Sequence, residues 1–470
     1  MAMWTRPLQR HLALVSQLQE QIRKGHAQQK LLSFHYHGHS HTTRSKKYNR
    51  GCSTLSCGRL NQVLSIDIAK KRVRVEPRVT IETLVRATLP LGLAPPIVPE
   101  FKGITVGGAI MGSAAESTSH RWGIFHDSCT EVELLDGRGN LLRASPHENA
   151  DLFYGISGSY GSLGLLISAE IALIPIQQTV RLNYHIFSDP LIALKKMEAL
   201  IGTSDFLDGI LFAKDHAVII EGMMVAEPSN PSPSEWYAHH VKKISQNSEE
   251  KIPLFDYFFR YDQGAFWMGS LLFSLRFLTR YIGQGLFKMK SSQKWFTHQE
   301  IENFKNLKFP CALAQSLTHP LMHSQCLWGL LHKAEKWVQD RLIIQDCCIP
   351  LPDASLFLTE ICDDPGLFPI WLCPLKGTNT QLFAPHQGHP YFINFGLYGV
   401  PSYSAPMEQM IKHLEHKTQT YGGRKVLYSC SYYTKEIFWQ IYSQEEYERL
   451  RKQMHAKGIW PELTEKVLSQ

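Results

Sequence analysis

Short alternating runs and helical spacing succeed one another along the first half of the chain. In "LSIDI" and "RVRVEP" apolar and polar residues alternate, which predicts two short strands, the second stopped by Pro77. "TIETLVRATLPLGL" instead carries apolar residues at helical spacing, with Thr80 as N-cap and Gly92 near the stop. "EVELLDGRGNLLRAS" reads as a hairpin turning through the Asp-Gly-rich segment 136–140. "DLFYGISGSYGSLGLLISAEIALIPI" passes from a helical turn, through glycines spaced by three, into a β-rich run stopped by Pro175. Before these, "LALVSQLQEQI" (12–22) has the pattern of a short surface helix. After them, "HAVIIEGMMVA", "FPIWLCPL", "PYFINFGLYG" and "KVLYSCSYY" read as strands, 405–420 as an amphipathic helix, and the chain's end as helical. The polar "EPSNPSPSE" (227–235) reads as a surface loop. Helices mixed with antiparallel strands, without regular βαβ alternation, imply an α+β fold.

Composition narrows the function classes. A chain of 470 residues, 44% of them hydrophobic, can bury a large core and is expected to form two or more domains. The net charge of +7 is modest and no Lys/Arg block exceeds "RSKK" (44–47), which argues against a nucleic-acid partner. Ten scattered cysteines without C-x-x-C point to a reducing, cytoplasmic setting and give no metal framework. The apolar stretch "FWMGSLLFSLRFLTRYIGQGLFKMK" (266–290) is interrupted by Arg276 and Arg280. It reads equally as a helix over the core and as an interfacial helix in peripheral membrane contact.

The unusual stretch begins at Thr105: "TVGGAIMGSAAESTSHRWGIF". It contains neither G-x-G-x-x-G nor G-K-[ST], so it is neither a Rossmann fingerprint nor a P-loop. Gly107 and Gly108 would permit positive φ and let N–H groups converge on a phosphate, with Ser113, Ser117, Thr118 and Ser119 adding hydroxyls. The plainer alternative is tight packing of a loop on a sheet.

The extended stretch "TVGGAIMGSAAESTSHRWGIFHDSCTEVELL" resembles the FAD loop of the PCMH-type (vanillyl-alcohol-oxidase-like) flavoproteins. Together with "VRVEPRVTIETL", "PEFKGITVGG", "ADLFYGISGSYGSLGLL", "FPIWLCPL" and "LYSCSYYTKEIFW", it resembles the Δ24-sterol-reductase family (seladin-1 and Dwarf1-like proteins) from about residue 60 onward. The resemblance implies a helical extension over 1–30, a PCMH-type FAD-binding domain of two α+β subdomains over 31–178, and a substrate or cap domain with an antiparallel sheet over 179–470. It implies that Thr105, Val106, Gly107, Gly108, Ala109, Ile110, Met111, Gly112, Ser113, Glu116 and Ser117 line FAD. Ser119, His120, Gly123 and Asp127 would lie nearby, and Gly161, Gly164 and Leu165 along the flavin or its adenine end. Ser40 and Arg44 would belong to the first FAD loop, "FHYHGHSHTTR". "GHS" raises covalent attachment through His39, whereas "SHTTR" fits a noncovalent pyrophosphate loop better and is the favoured reading. No carboxylate or cysteine completes a metal site there. Eukaryotic family members carry an N-terminal membrane anchor, which the first thirty residues do not resemble.

The chemistry implied is reduction of a carbon–carbon double bond in a sterol or other lipid-like substrate, with NADPH reducing FAD. The flavin would give hydride and a side chain the proton. Among Tyr428, Tyr432, Tyr433 and Lys435, the expected proton donor is Tyr432 with Lys435, against the alternative that these tyrosines merely fill a strand. Glu116 would bond a ribose or flavin group, or only order its loop, and Cys347 and Cys348 read as buried apolar residues. Two other functions stay open: an FAD-dependent dehydrogenase or oxidase of a sugar or other alcohol, and a degenerate flavoprotein with a binding role.

Overall fold

The computed structural model describes residues 5–34, 41–43, 47–273, 321–333, 335–401 and 405–469. The first large sheet has five strands in the order Val63–Asp67, Arg72–Val75, Leu165–Ala172, Cys129–Leu135 and Leu141–Ala144, all antiparallel. The predicted hairpin closes because Asp136 Oδ1 accepts the N–H groups of Arg138 and Asn140, each at 2.8 Å. Thr80 caps the helix Ile81–Thr88, accepting from Thr83 N at 3.1 Å. Gly92 then takes a left-handed φ of 70° and ends the following turn.

The second sheet has eight strands: Ser248–Pro253, Thr179–Phe187, His216–Val225, Phe206–Ala213, Ile370–Lys376, Tyr391–Gly399, Ile343–Pro350 and Arg424–Lys425. Its side chains alternate between two cores. Ile343, Cys347, Ile370, Leu372, Ile393 and Leu397 pack with the helices Pro190–Leu200, Ala354–Asp363 and Met407–Thr420. Ile344, Cys348, Trp371, Cys373 and Tyr398 face the other way, into a core continuous with the first sheet. Strand parity therefore decides which side chains can meet between the sheets. The α+β reading holds.

Three sequence expectations change. The N-terminal helix runs Thr5–Ala27, and it buries Leu14, Val15, Leu18 and Ile22 in the first core, at the spacing of a helix face. The C-terminal helices Gln444–Gln453 and Leu463–Val467 return to the first sheet instead of staying with the second. Leu32 N–H donates to Ile459 O at 2.7 Å, Gly137 N–H to Met454 O at 2.8 Å, and Arg451 to Ser162 O at 2.8 Å. Gly137 permits this approach, since a Cβ there would stand 1.8 Å from His455 O.

The third change is that "KVLYSCSYY" forms a strand only at its start, Arg424–Lys425. Its later backbone groups bond to side chains and distant segments rather than to a neighbouring ladder. Tyr432 N–H donates to Glu415 at 3.1 Å, Cys430 O accepts from Lys425 Nζ at 2.6 Å, and Thr43 N–H donates to Tyr428 O at 3.2 Å. No helix among the described residues is long and apolar enough to cross a membrane. Phe266, Trp267 and Met268, at the start of the 266–290 stretch, are buried in the core; 274–290 lie outside the described residues.

Candidate active site

A cavity of about 610 Å³ lies where the helix Val106–Met111 and the loop before it meet the second sheet. One wall is nearly bare of side chains, being made by Thr105, Gly107, Gly108, Ala109, Gly112 and Ser113. Gly107 is small because a Cβ would stand 2.8 Å from Pro77 Cβ. Gly108 is exposed and its Cβ would meet only Thr105 Oγ1, at 3.2 Å, so its missing side chain leaves open space.

These glycines do not act as the sequence suggested. Neither has positive φ, and their N–H groups are engaged. Gly107 donates to Pro77 O at 2.8 Å and Gly108 to Thr105 Oγ1 at 3.2 Å, while Val106 and Ala109 donate to Val79 O and Thr105 O. The segment supplies a smooth surface rather than converging donors. Such a wall, in a cavity of this volume, fits a flat ring system with its phosphate linkage.

The rest of the lining includes an apolar, acidic group. Phe101, Phe266, Met268 and Trp371 belong to it, with Glu100, Asp346, Asn394, Tyr398 and Tyr428 among them. Asp346 projects here because it shares strand parity with Ile344 and Cys348. It accepts from Asn394 Nδ2 at 2.7 Å and Tyr398 OH at 2.8 Å, and Tyr428 also bonds it. Burial nevertheless holds its pKa above the usual carboxylate range. The Glu100 carboxyl is pushed up to about 8, first by burial and then by the nearby Glu116 carboxylate, so it is protonated at neutral pH. Burial and Asp346 push the Tyr398 and Tyr428 phenols well above their ordinary range. The loop bearing Glu100 is pinned just after it: Lys102 N–H donates to Asp262 Oδ1 at 3.0 Å and Ile81 N–H to Ile104 O at 2.8 Å.

A family model described as an FAD binding domain matches residues 14–145. Over 427 residues the chain is 29% identical to the human Delta(24)-sterol reductase, an alignment covering 87% of this chain and 76% of that protein. The chain thus resembles the Delta(24)-sterol reductases over most of its length and an FAD binding domain over residues 14–145. It is 26% identical over 449 residues to the Delta(24)-sterol reductase of Arabidopsis thaliana, covering 86% of this chain and 74% of the relative. Cytokinin dehydrogenase 9 of Oryza sativa is similar over a shorter part, 27% identical over 164 residues, or 34% of this chain and 32% of that protein.

Of the residues expected around FAD, Thr105, Gly107, Gly108, Ala109, Met111, Gly112, Ser113 and Leu165 line the cavity. Val106 and Ile110 point into the core. Glu116 lies behind the wall, in a buried seam between the sheets. Its Oε1 is 2.8 Å from Arg260 Nη2, which is 3.1 Å from Asp208 Oδ2; Asp208 also accepts from Tyr261 OH at 2.7 Å and Trp371 Nε1 at 3.1 Å. Of the two roles weighed for Glu116, ordering the loop is the one this geometry supports. Ser119 Oγ accepts Glu116 N–H at 2.8 Å, and Ser117 Oγ accepts from Tyr257 OH at 3.2 Å. His120 Nδ1 accepts Gly202 N–H at 3.1 Å, and burial holds its pKa down to about 4.

Asp127 and the remaining glycines are packing elements. Asp127 Oδ2 accepts Ile124 N–H at 2.8 Å, and a Cβ on Gly123 would stand 2.2 Å from that oxygen. A Cβ on Gly161 would stand 2.2 Å from the Phe34 ring, and one on Gly164 2.8 Å from Leu135 O. Ser40, Arg44 and His39 lie outside the described residues.

The expected proton donors are not at the cavity. Tyr432 packs against the helix-covered core on the far face of the second sheet, and Lys435 is an exposed residue opening the helix Lys435–Ile441. Tyr428, four residues earlier, is the tyrosine of that motif that lines the cavity. The strand register assumed for the motif failed because the segment is irregular. Glu100, Asp346, Asn394 and Tyr398 were missed. The usable signal was a lone carboxylate inside each of two apolar runs, "LAPPIVPEF" and "LIIQDCCIP", since buried charge demands a partner or a function.

Proposed function

We propose that the protein is an FAD-dependent oxidoreductase that reduces a carbon–carbon double bond in a sterol or other lipid-like substrate. One observation carries this reading: a single cavity joins a bare wall that fits FAD to apolar and aromatic side chains and the Glu100 carboxyl, whose pKa is pushed up to about 8. Bound FAD supplies hydride exchange at its ring, and NADPH is its proposed reductant. An isolated alkene has no carbonyl to draw hydride, so reduction needs a proton delivered to the less substituted carbon. Glu100 is the proposed donor in place of Tyr432 and Lys435, since it is the better acid beside phenols raised far above neutrality. Asp346, fixed by Asn394, Tyr398 and Tyr428, places a second carboxyl beside this aromatic chamber, its pKa raised by burial; in its ionised form it would favour cationic character growing on the substrate. Phe101, Phe266 and Trp371 exclude water and match a hydrocarbon skeleton.

The test is a rapid-mixing experiment. Protein with its flavin reduced anaerobically should regain the oxidised spectrum on adding a Δ24 sterol. No reoxidation by sterols, together with bleaching of oxidised flavin by an alcohol or cytokinin, would transfer the case to the dehydrogenase reading. Attachment is proposed as noncovalent: acid precipitation should release the flavin, and flavin kept on the pellet would overturn this. Peripheral membrane contact is proposed for 274–290, since Phe266 to Met268 are committed to the core; absence of liposome co-flotation at low salt would refute it.

A further inference from the structure

We infer that Lys466, carried back by the C-terminal helix Leu463–Val467, is a cationic contact for the diphosphate of the dinucleotide in the cavity. The inference rests on the FAD reading and assigns a ligand residue more than three hundred positions beyond the matched FAD-binding segment. Lys466 lines the cavity yet is only 5% exposed. Its Nζ lies 5.0 Å from the ring centroid of Phe34 and 5.1 Å from that of Tyr48, both cavity-lining residues. These rings fix where the ammonium points and offset part of its desolvation.

Among the described lining residues the Lys and Arg side chains are Lys466 and Arg78, and the acidic side chains are Glu100 and Asp346. Asp346 shares its strand with the cavity-lining Ile344 and Cys348, and Glu100 precedes Phe101 in its loop, so both acidic side chains belong to the aromatic chamber. Arg78 follows Pro77, the residue on which the bare wall rests through Gly107. A diphosphate lying along that wall toward Lys466 and Arg78 would leave the ring system for the acidic chamber. The fold spends several contacts on bringing the C-terminus here. Leu32 N–H donates to Ile459 O at 2.7 Å, Phe34 meets Trp460 edge-on at 5.7 Å, and Gly161 lacks a side chain so that the Phe34 ring fits.

The experiment compares FAD with riboflavin, which has the same ring and no phosphate. Wild type, Lys466→Met and Lys466→Arg are titrated with each flavin by fluorescence quenching, at low and high salt, with thermal melting as a fold control. Lys466→Met should weaken FAD about 10–100-fold, the scale of one charge-assisted contact. It should leave riboflavin unchanged and flatten the salt dependence for FAD, and Lys466→Arg should restore most of the affinity. Unchanged FAD affinity, or an equal loss for both flavins with a lowered melting temperature, would overturn the inference and leave Lys466 as a structural clamp. Failure of wild type to bind FAD at all would instead overturn the cofactor reading beneath it.

Discussion

Glu100→Gln separates the proton from the shape that carries it. Glutamine keeps the side-chain length and two polar atoms but cannot deliver a proton at neutral pH. A positioned general acid contributes roughly 10²–10⁴-fold, so substrate-driven reoxidation of the reduced flavin should slow by that factor with flavin content unchanged. The pH profile gives a sharper readout. Glu100 must be protonated to act, and its pKa is raised to about 8 by burial and by the Glu116 carboxylate. The protonated fraction is then about 0.9 at pH 7 and about 0.1 at pH 9. The wild-type rate should be flat below neutrality and fall about tenfold per pH unit above the inflection. Asp346→Asn removes a nearby negative charge that helps raise this pKa, and should move the inflection to lower pH. The assay is single-turnover mixing of reduced protein with a Δ24 sterol across this range. If Glu100→Gln keeps the wild-type rate, or keeps the alkaline fall unchanged, Glu100 is not the acid.

The two neighbouring glycines should respond differently. Gly108→Val should abolish FAD uptake at a smaller loss of melting temperature than Gly107→Val, because a Gly108 Cβ would line the cavity and meet only the Thr105 hydroxyl, at 3.2 Å, whereas a Gly107 Cβ runs into Pro77 at 2.8 Å. Retained FAD in Gly108→Val would mean the bare wall does not face the cofactor. Arg260→Met leaves the Glu116 and Asp208 carboxylates buried without their cation and should cost roughly 3–5 kcal/mol in denaturant unfolding. A loss below about 1 kcal/mol, the value of an exposed pair, would show the seam to be hydrated. His126 is buried, with its pKa held down to about 4 by burial. Its lowered pKa means the unfolded chain binds more protons between about pH 6.5 and 4, so stability is lost as pH falls through that window, by up to about 3 kcal/mol. His126→Phe should flatten that acid slope in melts at successive pH values; an unchanged slope would place the loss on other groups.

How much of this was legible in the sequence depended on how local its cause was. The Thr80 cap, the Asp136 turn and the strands flanking it are written in a few neighbouring residues, and they fold as the pattern indicates. The bare wall was legible as composition, but its physical role was misread. Gly107 and Gly108 suggest free donors, whereas Pro77 O and the capping Thr105 hydroxyl engage those N–H groups and the missing side chains leave space. The seam was opaque, because Glu116 meets Arg260 across 144 positions and neither residue announces the other. Tyr432 failed for a related reason. A tyrosine's facing is predictable only while a ladder sets its parity, and beyond Lys425 the backbone answers to Glu415, Thr43 and the returning C-terminus instead. The same long-range closure brings Lys466 to a cavity begun by residues near position 33. In this chain, therefore, the cofactor wall is a local feature of the FAD-binding segment, while the acid chamber and the cationic end exist only once the second sheet and the C-terminal helices have docked. Damage to that docking should cost chemistry and cofactor retention together, even where every residue of the glycine-rich stretch is intact.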